Sequence, residues 1–218
     1  GNSKFDQAVE GLDADIAQWR STLRLDPETR VVVVGSTRGE NEEEFVLNAI
    51  LKAGSSDLND FVVVHAPRHL ERVPDLHKRA SQLFSSVARK SNLIQPARYI
   101  ILDTYGELSQ VYALADLVII GGGFDNLGGQ NIIQPLAHGK PVLHGPHMQN
   151  FAEATRASLS AGASVECKSD DELASALKAL LADTNRAQAM GANARALVAE
   201  SLGASQRYAN AIAEAARQ

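Results

Sequence analysis

Residues 117–146 read LVIIGGGFDNLGGQNIIQPLAHGKPVLHGP, and this stretch decides the fold class. Leu117-Val-Ile-Ile120 is continuously apolar rather than alternating, which fits a strand covered on both faces. Three glycines end it, a short helix-length segment follows over Asn131 to Ala137, and Pro141-Val-Leu143 opens another apolar run. Working outward, Val31-Val-Val-Val34, Phe61-Val-Val-Val64 and Tyr99-Ile-Ile-Leu102 have the same character, with Ser164-Val-Glu-Cys167 a weaker case. Helix-length segments separate them: Glu42 to Ala53, Glu71 to Lys90, Gly106 to Ala115, Gln149 to Ser160 and Asp171 to Leu181. Strand–helix alternation repeated this often specifies an α/β fold with a parallel, doubly wound sheet.

Helices are expected to flank this core at both ends. Phe5, Val9, Leu12, Ile16 and Trp19 recur at spacings of four and three, an amphipathic helix before the first strand, and Pro27 closes a short linker. After Asp183 the chain is Ala-rich and reads as helical through Met190, Leu197, Tyr208 and Ile212. The expected organisation is a helix and linker over 1–26 and one domain over 27–218. The chain opens Gly1-Asn2 without a methionine, so a fragment of a longer protein is expected, with Gly1 left by cloning.

Composition narrows the function classes. The 218 residues carry 21 basic and 26 acidic side chains, a net charge of −5, which argues against a broad electrostatic grip on nucleic acid or anionic lipid. Any anionic ligand has to be caught locally. One cysteine excludes an internal disulfide and points to a reducing compartment. The apolar runs fall far short of the roughly 20 residues a membrane span needs.

Ligands of open parallel sheets bind beyond the carboxyl ends of the strands. Those ends read Gly35-Ser-Thr-Arg-Gly-Glu40, His65-Ala-Pro-Arg-His69, Asp103-Thr-Tyr-Gly-Glu107, Gly121-Gly-Gly-Phe124 and Gly145-Pro-His147. Each loop alone also reads as an ordinary turn. Together they bring glycine, hydroxyl, Arg, His and carboxylate groups to one rim. Gly128-Gly129 precedes a predicted helix over Gln130 to Ala137, whose free N–H groups would suit a phosphate. Arg68 is aimed at the same rim, and a guanidinium matches phosphate oxygens in pairs. The GxGxxG and GK[ST] fingerprints are absent, Ser36 lacks a GxSxG elbow, and no HExxH or CxxC spacing occurs, so no metal or bound cofactor is expected.

In this order the blocks resemble the C-terminal half of the bacterial 3-deoxy-D-manno-octulosonic acid (Kdo) transferases, a family with the GT-B architecture of two Rossmann-like domains. The resemblance runs from about Val31 to Ser201. It rests on Gly35-Ser-Thr, Pro67-Arg-His with Arg72, Asp103-Thr-Tyr-Gly-Glu-Leu108, Tyr112-Ala, Ala115-Asp116, Gly128-Gly-Gln-Asn131, Gln134-Pro135, Gly139-Lys-Pro-Val142, Gly145-Pro-His147 and Asn150-Phe151. It implies transfer of Kdo from CMP-Kdo to a lipid A precursor in lipopolysaccharide biosynthesis, at the cytoplasmic face of the inner membrane. This half would hold the nucleotide-sugar donor, with Ser36, Thr37, Arg68, Gly122, Gly129, Gln130 and Asn131 at the phosphate. Gln134 would lie near the ribose, and Gly106 and Glu107 near the cytosine. The general base and the lipid acceptor surface would belong to the absent N-terminal domain, so the fragment alone is expected to transfer no sugar.

Two residues depart from the family pattern: Gln130 replaces the usual His and Gln134 the usual Glu, while Arg38 stands near another usual His. A neutral Gln holds ribose hydroxyls more weakly than a carboxylate. Alternatives are therefore a GT-B transferase or epimerase using a UDP-sugar, and a transferase-like binding module without catalysis. A dehydrogenase of the NAD type fails on the missing glycine fingerprint and its acidic partner.

Overall fold

The computed structural model describes Phe5, residues 12–55 and residues 57–202. Seven parallel strands form one sheet: β1 (Val31–Thr37), β2 (Val62–Pro67), β3 (Val87–Arg89), β4 (Tyr99–Ile101), β5 (Leu117–Ile120), β6 (Val142–His144) and β7 (Ser164–Glu166). Their spatial order is β3-β4-β2-β1-β5-β6-β7. Val32 pairs with Val63 on one side and with Leu117 on the other, so β1 sits at the centre with β2 and β5 beside it.

The continuous apolar runs have a direct structural cause. Val31 and Val33 point into one core layer, Val32 and Val34 into the other, and all four are fully buried. Helices α2 (Glu40–Gly54), α3 (Val73–Leu83) and α7 (Asp170–Ala182) cover one face through Ile50, Leu76 and Leu177. The other face is covered by α1 (Ile16–Thr22), α4 (Leu108–Val111), α5 (Ile133–Ala137), α6 (Ala152–Ser160) and α8 (Thr184–Ser201), through Trp19, Val111, Leu136, Ala154 and Val198. This is the doubly wound arrangement expected from the sequence. Truncating one strand residue such as Ile100 to Ala should cost about 2–5 kcal/mol, because neither layer can collapse onto the gap.

Three expectations need correction. The segment Glu71 to Lys90 is not one helix: α3 ends at Leu83, Phe84 is extended, and Val87–Arg89 forms an edge strand paired with β4. A three-residue, half-exposed edge strand carries no apolar run to announce it. The helix expected from Phe5 through Trp19 is not continuous: residues 12–15 lie outside any helix, and α1 begins at Ile16, where the Asp15 side chain accepts from Gln18 N at 2.9 Å and caps it. Val9, Tyr208 and Ile212 lie outside the described residues. The helix expected from Gln130 starts at Ile133, since the Asn131 side chain accepts from Ile133 N at 3.0 Å and makes a turn of that segment.

Candidate functional site

The chain reverses direction across the sheet between β1 and β5, and the loops leaving the carboxyl ends of β1, β2, β4, β5 and β6 meet there. At the end of β1, Gly35 has no room for a side chain: a Cβ there would lie 2.0 Å from the Tyr112 hydroxyl. Ser36 adopts φ +61°, a left-handed conformation rare outside glycine, and stands half-exposed on the rim. Thr37 turns inward instead. Its hydroxyl lies 2.7 Å from His65 Nε2, and His65 Nδ1 lies 2.5 Å from the Tyr99 hydroxyl. This buried chain ties β1, β2 and β4 together, and burial pushes the His65 pKa down to about 3, so its ring is neutral.

The glycine loop after β5 is organised by a residue that the sequence reading passed over. Glu42, in the first turn of α2, is 1% exposed. Its Oε2 accepts from Gly122 N at 2.7 Å and Arg38 N at 2.6 Å, and its Oε1 accepts from Phe124 N at 3.1 Å. Burial raises its pKa, opposed by these N–H groups and that of Asp125. An internal carboxylate therefore occupies the main-chain donors that a glycine-rich loop would offer an anion. An acid early in a helix is too common to signal this from sequence.

The same closure continues downstream. Gly129 N donates to Gly122 O at 2.7 Å, and Gln130 N donates to Gly121 O at 3.0 Å. Within 129–131 only the Asn131 N–H has no acceptor among the described residues. Three residues separate the glycine pair from the five-residue α5, so the expected helix N-terminus does not abut it. Gln130, Asn131 and Gln134 all have half-exposed side chains on this side of the fold.

Arg68, just past β2, is exposed and its guanidinium has no partner among the described residues, while its main-chain N–H donates to Thr37 O at 2.9 Å. Arg72 is differently placed: it grips the fully buried Glu43 carboxylate, Nη2 to Oε2 at 2.8 Å and Nε to Oε1 at 3.3 Å. Arg68 thus remains the available cation of the Pro-Arg-His turn. After β4, Gly106 takes φ +82° with open space around it. Glu107 is engaged, accepting from Lys90 Nζ at 2.7 Å and from the Thr104 hydroxyl. At the end of β6, His144 is fully buried, with Nδ1 2.8 Å from Gly145 O. The structure therefore brings Ser36, Arg68, Gly122 and the 129–131 turn to neighbouring strand ends. It withdraws the Thr37 side chain and the Gly122 N–H into internal bonds.

No family model matches the chain. A 3-deoxy-D-manno-octulosonic acid transferase of Bordetella pertussis is 35% identical over 218 positions, covering 97% of this chain and 50% of that protein. The transferase of Chlamydophila psittaci is 34% identical over 148 residues, 66% of this chain and 33% of that one. Among solved structures, the C-terminal CMP-Kdo binding domain of WaaA from Acinetobacter baumannii superposes with a TM-score of 0.74 at 25% identity. That match takes in 89% of this chain and 97% of that domain. This chain spans about half the length of the Bordetella protein. Identity across nearly the whole chain, together with a doubly wound sheet that superposes on an isolated CMP-Kdo binding domain, makes this chain similar to one half of the Kdo transferases, with the GT-B type of Rossmann-like fold.

Proposed function

We propose that this chain is the donor-binding half of a Kdo transferase and holds CMP-Kdo at the carboxyl ends of β1, β2, β4 and β5. The observation that carries this reading is the match over 97% of a domain described as binding CMP-Kdo. The Arg68 guanidinium, which has no partner among the described residues and lies one strand from Ser36, supports it. In transfer from CMP-Kdo, the bond from the sugar to the phosphate oxygen breaks and negative charge collects on the departing CMP. A guanidinium with hydroxyl and amide donors stabilises that charge without a metal ion. The internal use of the Gly122, Gly129 and Gln130 N–H groups puts this work on side chains: Arg68, Ser36, Asn131 and Gln130.

The whole protein, in this reading, delivers Kdo to a lipid A precursor at the cytoplasmic face of the inner membrane. A second domain supplies the general base and the acceptor surface. No helix among the described residues is long and apolar enough to cross a membrane. Gln134, where the family has Glu, favours keeping a second reading in view: a site that takes a UDP-sugar. Isothermal titration with CMP and UDP separates the two. CMP binding with UDP at least tenfold weaker supports the Kdo reading, and the reverse order overturns it.

A further inference from the structure

The opposite end of the sheet, where the strands begin, carries a group of cations that the donor reading does not use. A hollow of about 200 Å³ lies there, at the amino ends of β1, β5 and β6, walled on one side by α8. Arg30, Lys140 and Arg195 line it against a single carboxylate, Asp116. Pockets for drug-sized organic ligands run to roughly 300–1,000 Å³, so this one suits a small ion. Close approach of two elements builds it. Gly139 takes φ +67°, and a Cβ there would lie 2.2 Å from Arg195 Nη1. One turn earlier in α8, a Cβ on Gly191 would lie 2.4 Å from Gly139 O. Helix α8 therefore rests directly on the turn before β6 and lays Arg195 beside Lys140. That turn is itself held, with Gly139 N donating to Leu136 O at 2.9 Å and Lys140 N to Pro135 O at 3.0 Å.

The charged groups differ in what already occupies them. Arg30 donates to Leu181 O and to the Thr184 hydroxyl, and Asp116 accepts from Val31 N at 2.7 Å. The side chains of Lys140 and Arg195 make no hydrogen bond or ion pair among the described residues. Lys140 is half-buried, and burial lowers its pKa, with Asp116 opposing and Arg195 and Arg20 adding to the fall. Three cations against one carboxylate leave an excess of two positive charges in this recess. Charge removed from water needs a partner, and a multiply charged anion supplies one. We propose that the hollow is a second anion site, where Lys140 and Arg195 take a small phosphate anion carrying two or more charges. The seven residues of β1, at about 3.3 Å each, separate it from Ser36 and Arg68 by roughly 20 Å. It is therefore independent of the donor site.

The probes are pyrophosphate and inorganic phosphate, added at constant ionic strength while nitrogen–proton correlation spectra of the full chain are recorded. The expected result is saturable shifts at the amides of Gly139, Lys140, Gly191 and Arg195, tighter for pyrophosphate than for phosphate. Lys140→Gln and Arg195→Gln should each weaken pyrophosphate about tenfold or more, the scale of one hydrogen bond to a charged group. Neither substitution should alter the shifts that CMP produces at Ser36 and Arg68. Arg195 is exposed, so its variant keeps the test open if Lys140→Gln fails to fold. Absence of saturable shifts at these four amides with millimolar pyrophosphate overturns the proposal. So do equal shifts with sodium chloride, shifts confined to the Ser36 and Arg68 rim, or binding that neither substitution weakens. If pyrophosphate binds at the hollow and CMP binds nowhere, the donor reading fails and the second site stands.

Discussion

The carboxylate of Glu42 accepts the main-chain N–H of Gly122 at 2.7 Å, across 80 positions of sequence and between the first turn of α2 and the loop after β5. With the Arg38 and Phe124 amides on the same carboxylate, one buried side chain fixes two rim loops at once. Glu42→Gln keeps the shape but turns an amide NH2 toward backbone donors. Leaving one such buried donor unpaired costs about 1–3 kcal/mol, so urea unfolding should show a loss of that size. Hydrogen exchange at Gly122 and Phe124 should accelerate. Unchanged stability and exchange would mean the carboxylate does not organise the loop.

Arg68 offers the rim a guanidinium that has no partner among the described residues. A hydrogen bond to a charged group contributes roughly 1.5–3 kcal/mol, so Arg68→Ala should weaken CMP by at least tenfold in titration calorimetry. Cytidine, which has no phosphate, should bind the variant and the unsubstituted chain alike. A parallel loss for cytidine would remove Arg68 from the phosphate site.

Gln134 stands where the family resemblance implies a Glu. A carboxylate holds ribose hydroxyls through charge-assisted bonds, roughly twice as strong as neutral ones. Gln134→Glu should therefore tighten CMP about fivefold or more and leave a 2′,3′-dideoxy analogue unaffected. Equal effects on both would place residue 134 away from the sugar.

His65 sets an acid limit on stability. Its folded pKa, about 3, lies below its ordinary 6.5 because burial disfavours the imidazolium. Above pH 6.5 the ring is neutral whether folded or not. Below it the unfolded chain takes up a proton that the folded chain refuses, so stability is lost as pH falls from 6.5 toward 3. The slope from this one group is about 1.4 kcal/mol per pH unit. His65→Asn should be less stable at pH 7.5, having weakened the Thr37 and Tyr99 bonds, yet show a shallower decline to pH 4.5 in urea titrations. An identical slope in both proteins would assign the acid sensitivity elsewhere.

The sheet was legible because its strands are buried on both faces and so read as unbroken apolar runs. β3 was not, because an edge strand of three half-exposed residues resembles the tail of the helix before it. The rim was legible as a set of loops, since glycine, Arg and hydroxyl residues collect where strands end. Which of their groups remain free was hidden, because that depends on distant partners. Glu42 claims the Gly122 amide from another element, His65 claims the Thr37 hydroxyl across two strands, and Gly121 O claims the Gln130 N–H within the loop. The start of the small helix after the glycines is hidden for the same kind of reason: the Asn131 turn replaces the three positions from Gln130 that the sequence pattern makes helical.

In the proposed function, a cytidine nucleotide binds across the carboxyl ends of β1, β2, β4 and β5. Nitrogen–proton correlation spectra of the 218-residue chain, recorded while CMP is added, test it most directly. The expected result is saturable shifts confined to amides of Ser36, Arg68, Gly106, Glu107 and Asn131, with UDP moving them less at equal concentration. Shifts clustered elsewhere on the fold, or no saturable shifts with millimolar CMP, would contradict it.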